Sequence, residues 1–378
     1  MLLLGTQVKA EDSLRVEPMD SVEISLLTCS PGQEVYTLYG HTAIRYHDLR
    51  DDNQDWAFSY GMFSFKKKFF VLRFMFGLTD YDLGVIPIKP FLEEYSSRGS
   101  SVTEQMLNLT AEEKTTLRDA LFANAAPENR TYRYNYFYDN CTSRARDIIE
   151  RCMTGEKRYP TLPTEAPTWR ELVHRYTAGH PWAQFGVDLL LGVKADTKPT
   201  ARQAQFLPEN LMEDFAAATV VEYGESRTLV RQTRMTVPPG VQVVEREFLF
   251  TPMECALMLF VFSLIILLTE LTKRHIFRLW DVVLMVTTGL AGVIIFAMFF
   301  SQHPTTSTNL QVLLLNPLPL FFVWKPKKWW WKLWGALIVL FLICGLWQSY
   351  AEGMWLVALS LLTRVISHLK VESRKEKA

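Results

Sequence analysis

From Met253 onward the chain is a series of apolar runs, at about 254–272, 279–300, 309–324, 333–350 and 354–369, each near the length that crosses a bilayer. Nothing constrains the fold more, because a chain in lipid must satisfy its own backbone and so becomes helical. The charges between the runs orient them. Lys273, Arg274 and Arg278 separate the first two, Lys325, Lys327, Lys328 and Lys332 the third and fourth, and Lys370, Arg374, Lys375 and Lys377 follow the fifth. The alternate loops, 301–308 and 349–353, contain no Lys or Arg. The positive-inside rule therefore predicts a cytoplasmic C-terminus, and five crossings put the preceding part of the chain on the outer face. Trp324, Trp329, Trp330, Trp331 and Trp334 are expected to form an interfacial belt on the cytoplasmic side. The third run is interrupted by Asn316-Pro317-Leu318-Pro319, which an unbroken helix does not accommodate. With His303-Pro304 just before that run, the break reads either as a loop and kink or as the wall of a lipid or peptide groove.

The zero net charge averages two unlike halves. Residues 11–240 are charged, aromatic and punctuated by proline, long enough for one sizeable domain of mixed strands and helices or two small ones and taken as one, with 241–253 as the linker, 254–370 as the membrane part and 371–378 as a tail. Residues 1–10 look like the end of a secretory signal, with Val8 and Ala10 suiting a small-residue cleavage site, although the apolar stretch is short and has no basic flank. Alternation predicts strands at 21–29, 40–46 and 56–60, an antiparallel meander, and further strands at 102–109 and 227–237. Thr110-Ala111-Glu112-Glu113 reads as a capping box opening a helix that ends before Pro127. Short helical pieces are expected at 169–176 and 188–191. The basic and aromatic segment Lys66 to Gly77 fits a core helix or, equally, a helix in the lipid headgroup region.

Chemistry concentrates in Tyr138-Asp139-Asn140-Cys141-Thr142-Ser143-Arg144. Beyond it Ala145, Ile148, Ile149 and Cys152 form the apolar stripe of a core-facing helix, which puts Cys141 in the first turn, facing inward. There the unpaired N–H groups and the positive end of the helix stabilise a thiolate. Without a base nearby, Cys141 is as well explained as a buried structural cysteine. Of seven histidines, topology removes His275 and His368, His303 sits at the membrane edge, and His174 and His180 fall in a Pro/Gly-rich region. His47 runs into an acidic loop, so His41, at the start of its strand, is the better base, although a lone strand histidine is also commonly structural. Five scattered cysteines make no disulfide framework, and a Cys29 to Cys152 bridge stays open. No metal-ligand spacing, phosphate loop or dinucleotide motif is present, so no metal or cofactor is expected. The outward topology sets nucleic acid aside.

Gly40-His41-Thr42-Ala43-Ile44 followed much later by Asn140-Cys141-Thr142-Ser143-Arg144 resembles the permuted NlpC/P60, papain-like superfamily, in which histidine precedes cysteine. More closely, several stretches resemble Lnb, a family of bacterial lipoprotein N-acyltransferases. They are Trp56 to Gly61, Tyr138 to Thr142, Asp188 to Gly192 with Asp196 and Phe206-Leu207-Pro208, and His303-Pro304 with Asn309 and Asn316-Pro317-Leu318. The resemblance implies an α+β fold: a periplasmic papain-like antiparallel sheet with packed helices, then five transmembrane helices in the bacterial inner membrane. It implies that Cys141, with His41 as base, takes an acyl chain from a membrane phospholipid and passes it to the N-terminal amine of a diacylglyceryl-cysteine lipoprotein. Asn140, Tyr138 and Arg144, and at the membrane edge Asn316 and His303, are then expected at the oxyanion or substrate. The third catalytic residue is left among Tyr60, Ser59 and Glu34, with Tyr60 put forward. A membrane-tethered cysteine peptidase or amidase acting on cell-wall peptide, and a non-enzymatic lipoprotein-handling protein, are the alternatives.

Overall fold

A computed structural model describes residues 19–51, 53–63, 68–160, 165–242 and 248–375. The signal-like residues 1–10, Lys66 and Lys67 of the basic segment, and 243–247 of the expected linker lie outside the described residues. The chain opens with strands β1 (Val22–Cys29), β2 (His41–Asp48) and β3 (Asp55–Met62). A short helix α1 (Phe70–Met75) leads to β4 (Asp80–Pro87), α2 (Ile88–Ser97) and β5 (Val102–Leu107). Next come α3 (Ala111–Ala125), the three-residue β6 (Thr131–Arg133) and α4 (Cys141–Cys152). After β7 (Glu156–Arg158) follow α5 (Trp169–Thr177), α6 (Pro181–Leu190), α7 (Ala201–Ala204) and α8 (Pro208–Ala217). Strands β8 (Thr219–Glu222), β9 (Glu225–Thr228) and β10 (Val230–Val237) close this half.

Seven strands form one antiparallel sheet in the order β10-β5-β1-β2-β3-β4-β6, and β7-β8-β9 form a small second sheet. The expected meander is β1-β2-β3, and α3 starts on the expected capping box, with Thr110 accepting from the Glu113 N–H. Strand β4 was not expected, since Asp80, Asp82, Gly84 and Pro87 dilute its alternation. The expected helix at 188–191 is the end of α6, which starts at Pro181.

Period-two alternation gives the sheet two buried faces. On one, Ile24, Leu26, Ile44, Phe58 and Tyr60 pack against Leu117 and Leu121 of α3 and Ala145, Ile148 and Ile149 of α4. On the other, Leu27, Cys29, Ala43 and Ala57 pack under Phe91 of α2. Burying Ile148 and Ile149 stabilises by roughly 1.5–3 kcal/mol each, which holds the start of α4 at a fixed place on the sheet. Cys29 and Cys152 sit in cores on opposite faces and both are free, so that bridge is not made.

The membrane half consists of α9 (Pro252–Lys273), α10 (Arg278–Met298), α11 (Leu318–Phe322), α12 (Lys328–Cys344) and α13 (Met354–Lys375). Among the described residues three helices, Pro252–Lys273, Arg278–Met298 and Met354–Val371, are long and apolar enough to span a membrane. The other two of the five expected segments are shorter helices: a 17-residue α12, and a third run split into a 3-10 turn, Leu310–Leu313, and the five-residue α11. Asn316 explains the split: its Oδ1 accepts from the Leu318 N–H at 3.1 Å and its Nδ2 donates to the Leu313 carbonyl at 3.2 Å. The broken run lies tight against α10, where a Cβ at Gly292 would come within 2.3 Å of the Asn316 backbone. The loop-and-kink reading fits this packing on the α10 side.

The tryptophan belt also needs correcting. Trp324 and Trp329 are exposed, but Trp330, Trp331 and Trp334 are fully buried, with Trp331 stacked on His368 at 3.7 Å. Helical spacing turns these three toward the bundle. Helix α13 continues to Lys375, so most of the expected tail is helical.

The two halves are joined by amides. Asn309 Nδ2 donates to the Leu189 carbonyl at 2.8 Å, Gln311 Nε2 to Asp188 O at 2.8 Å, and Gln348 Nε2 to Leu191 O at 3.0 Å. All three side chains are buried. Asp188 is itself fixed by Arg170 at 2.6 Å and His174 at 2.9 Å, and Gly192 N–H donates to Thr305 O at 2.8 Å. The outer half therefore sits on the two loops that contain no Lys or Arg.

Candidate active site

Cys141 is the first residue of α4, and Asn140 caps that helix. Asn140 Oδ1 accepts from the N–H groups of Thr142 at 3.0 Å and Ser143 at 2.9 Å, while its Nδ2 donates to the carbonyls of Tyr136 at 2.9 Å and Phe206 at 2.8 Å. Both ends of the amide are spent, so Asn140 positions Cys141 and is not an oxyanion donor. The Cys141 N–H is one of those that a helix start leaves unpaired by its own turns.

The sheet supplies the rest. Thr142 Oγ1 meets Thr42 Oγ1 at 3.1 Å, joining the start of α4 to the start of β2, where His41 sits. Burial of the Cys141 sulfur would raise its pKa, but the charge and hydrogen bond of His41, the Thr42 N–H and the Thr142 hydroxyl together bring it down to about 7. His41 Nε2 lies 2.9 Å from Ser59 Oγ, and its ring stacks on Tyr95 of α2 at 6.4 Å between centroids. A cysteine, a histidine and a hydroxyl that holds the histidine make an activated-nucleophile arrangement.

The three residues expected for the third position lie in different places relative to His41. Tyr60 faces the α3 and α4 side of the sheet, fully buried, with its hydroxyl accepting from Asn124 Nδ2 at 3.2 Å, so it is not beside His41. Glu34 is exposed, and its recorded bonds use only its backbone carbonyl. Ser59 is the residue at the imidazole. The antiparallel register carries the reason: Ile44 pairs with Phe58 and Arg45 with Ala57, which puts Ser59 on the His41 face and Tyr60 on the other.

Other expected residues have different duties. The Tyr138 ring packs on Trp169 at 5.4 Å and under Lys194. Arg144 is held bidentate by Asp139, both bonds 2.7 Å, with its guanidinium over the Tyr132 ring at 3.8 Å. His303 Nε2 bonds to the Phe74 carbonyl at 2.9 Å, and burial lowers its pKa; it ties α1 to the membrane loop. Among the described residues, no group of three or more His, Cys, Asp or Glu is placed to hold a metal ion.

Tyr132 was missed. Its hydroxyl is buried without a hydrogen-bond partner, and burial keeps it protonated. It borders a small gap over Cys141: a Cβ at Gly61, whose φ is +89°, would lie 3.7 Å from Cys141 Cβ and 3.9 Å from both Tyr132 Oη and Tyr81 Cδ2. A glycine adopts that φ freely and, having no Cβ, leaves about a methyl group's room among these three side chains. The only hint in the sequence is the alternation Tyr132, Tyr134, Tyr136, Tyr138; the hydroxyls of Tyr136 and Tyr138 are likewise buried without a partner among the described residues, and Tyr132 stands out by lying beside Gly61 and Cys141.

Comparison with known families agrees with this layout. The model of the Lnb N-terminal periplasmic domain matches residues 11–175, which include His41, Ser59, Tyr132 and Cys141, and that of the Lnb transmembrane domain matches residues 244–376. The chain belongs to the Lnb family. It is accordingly an inner-membrane protein with a periplasmic N-terminal part. No curated protein and no solved structure matches the chain. The likeness to permuted NlpC/P60 proteins therefore rests on the motifs alone.

Proposed function

We propose that this Lnb family member is a thiol-dependent lipoprotein N-acyltransferase with a permuted papain-like domain, crossing the membrane five times and ending in the cytoplasm. The observation that carries the reading is Cys141 at a capped helix start, its pKa drawn down to about 7 by His41, on the outer side of a membrane domain. A thiol lowered below its ordinary value in this way is the more nucleophilic at neutral pH.

The thiolate attacks the ester carbonyl of a phospholipid, and the carbonyl becomes an oxyanion in the gap at Gly61. The Tyr132 hydroxyl and the Cys141 N–H donate to it. When the C–O bond breaks, the imidazolium of His41 gives its proton to the departing lysophospholipid oxygen and an acyl thioester remains. The α-amine of a diacylglyceryl-cysteine lipoprotein then attacks that thioester and gives its proton to His41, and the C–S bond breaks to leave the amide and Cys141. Ser59 holds the imidazole in position throughout. Exposure of the purified full chain to phospholipid should add one acyl mass on Cys141, and Cys141→Ala should abolish N-acylation in a strain with no other N-acyltransferase. Full N-acylation by that variant would end the proposal.

A further inference from the structure

Helix α1 and its flanks are apolar where they face outward. Phe69 is 64% exposed and Leu72 52%, with Phe74 and Leu78 also exposed, an unusual patch for a chain segment outside the membrane helices. The segment is held at a defined level. Ser301 Oγ donates to the Met75 carbonyl at 2.7 Å, the Gln302 N–H to the Phe76 carbonyl at 3.0 Å, and His303 Nε2 bonds to the Phe74 carbonyl at 2.9 Å. Those three residues follow directly on the end of α10, a membrane-spanning candidate, where Phe299 is exposed and Phe300 70% exposed. The exposed apolar surface of α10 thus runs on into that of α1. Lys66, Lys67 and Lys68 precede α1 in sequence, and Lys68 is exposed, with its Nζ 5.1 Å from the Phe69 ring centre. Apolar rings beside lysines, at the level of a spanning helix end, match the boundary between acyl chains and anionic headgroups.

We infer that α1 is an interfacial helix that inserts Phe69 and Leu72 into the outer leaflet of the protein's own membrane, with Lys68 on anionic headgroups. The inserted segment is close to the chemistry. Phe70 and Phe74 lie within the same stack of rings as Phe63, Tyr81 and Tyr134, with Phe63 to Phe70 5.3 Å, Phe63 to Tyr81 5.1 Å and Tyr81 to Tyr134 4.1 Å between centroids. Tyr81 in turn borders the gap at Gly61. On the acyltransfer reading, the patch therefore marks the side from which the donor lipid reaches Cys141.

The test uses the full chain in vesicles of phosphatidylethanolamine and phosphatidylglycerol, with the photoreactive residue benzoylphenylalanine in place of Leu72 or, as control, of Tyr223, which is fully exposed at the β8-β9 turn. Irradiation should give a lipid adduct at position 72, richer in phosphatidylglycerol than the vesicles, and at least tenfold less adduct at 223. Equal or absent adducts at the two positions would overturn the inference. Because the adduct needs no turnover, it should form equally in the Cys141→Ala background. An adduct at position 72 in a chain that keeps Cys141 but transfers no acyl group would sink the enzymatic reading and keep the interfacial helix. For the route, Phe69→Asp with Leu72→Asp should slow acylation of Cys141 from vesicles at least tenfold while its alkylation by iodoacetamide stays unchanged; unchanged acylation would refute the route.

Discussion

Two clusters of buried polar side chains sit at opposite ends of this molecule, and they differ in what they leave over. In the membrane half Arg364 binds Glu270 and Asp281, each at 2.7 Å, His368 binds Asp281 at 2.8 Å, and Ser367 bonds to Glu270. The Phe277 N–H adds a bond to Glu270 at 2.6 Å. Each charge there is matched and ties α9, α10 and α13 together. At Cys141 the cap is equally complete, yet the Tyr132 hydroxyl has no partner and the Gly61 gap is empty. A satisfied buried network is architecture, and its neutral alternative is commonly no less stable. On the proposed mechanism, an unsatisfied hydroxyl beside Cys141 is capacity held for a substrate.

Changes at the two ends should separate these roles. The largest effect on chemistry is expected from His41→Ala, which should slow thioester formation by about a thousandfold. It should also raise the midpoint of Cys141 alkylation from about pH 7 to above 9, because the charge and hydrogen bond that lower the pKa are lost while the burial that raises it stays. Folding, read by thermal unfolding in detergent, should hardly change. Arg364→Ala should do the opposite. Leaving Glu270 and Asp281 without their cation should cost roughly 3–5 kcal/mol, visible as a lowered unfolding midpoint, with normal Cys141 alkylation in whatever protein remains folded. If Arg364→Ala left stability intact, the comparison would fail at that end.

Tyr132→Phe isolates one hydrogen bond. It should reduce acyl transfer by about a hundredfold with the alkylation pH profile unmoved, since on the proposed mechanism the hydroxyl serves the oxyanion and not the thiol. The smallest effect is expected at β3, where Ser59→Ala should slow transfer by about tenfold, and Tyr60→Phe, on the other face, by less than twofold. Reversal of that order would restore Tyr60 as the third member of the site.

Much of this was legible in the sequence, for physical reasons. The alternation of Val22 to Cys29 and of His41 to Tyr46, and the Thr110 to Glu113 box, are local signals that tertiary structure reinforces. Cys141 was readable because the apolar stripe from Ala145 to Cys152 fixes its helical phase, and the loop charges fixed which face of the membrane it occupies. What escaped depends on pairing. Choosing Ser59 over Tyr60 needs the β2-β3 register, and β4 is a strand only because β3 and β6 flank it. Asn140 was expected at the oxyanion or substrate, whereas three of its hydrogen bonds are local, to Thr142, Ser143 and Tyr136, and the fourth, which spends its second amide N–H, appears only once Phe206, far along the chain, has folded back onto it. Trp330, Trp331 and Trp334 were read as a belt from composition alone, although their spacing on α12 was already that of a buried stripe.

The amides of Asn309, Gln311 and Gln348 carry one last consequence. They set the altitude of Cys141 above the bilayer as a constant of the molecule, because lifting or tilting the outer half would strand buried donors in a dry seam. On the proposed acyl transfer, a site so fixed does not reach for its substrates; both would arrive by lateral diffusion and climb the same short distance, so turnover should follow membrane fluidity and lipid density in two dimensions more closely than any bulk concentration.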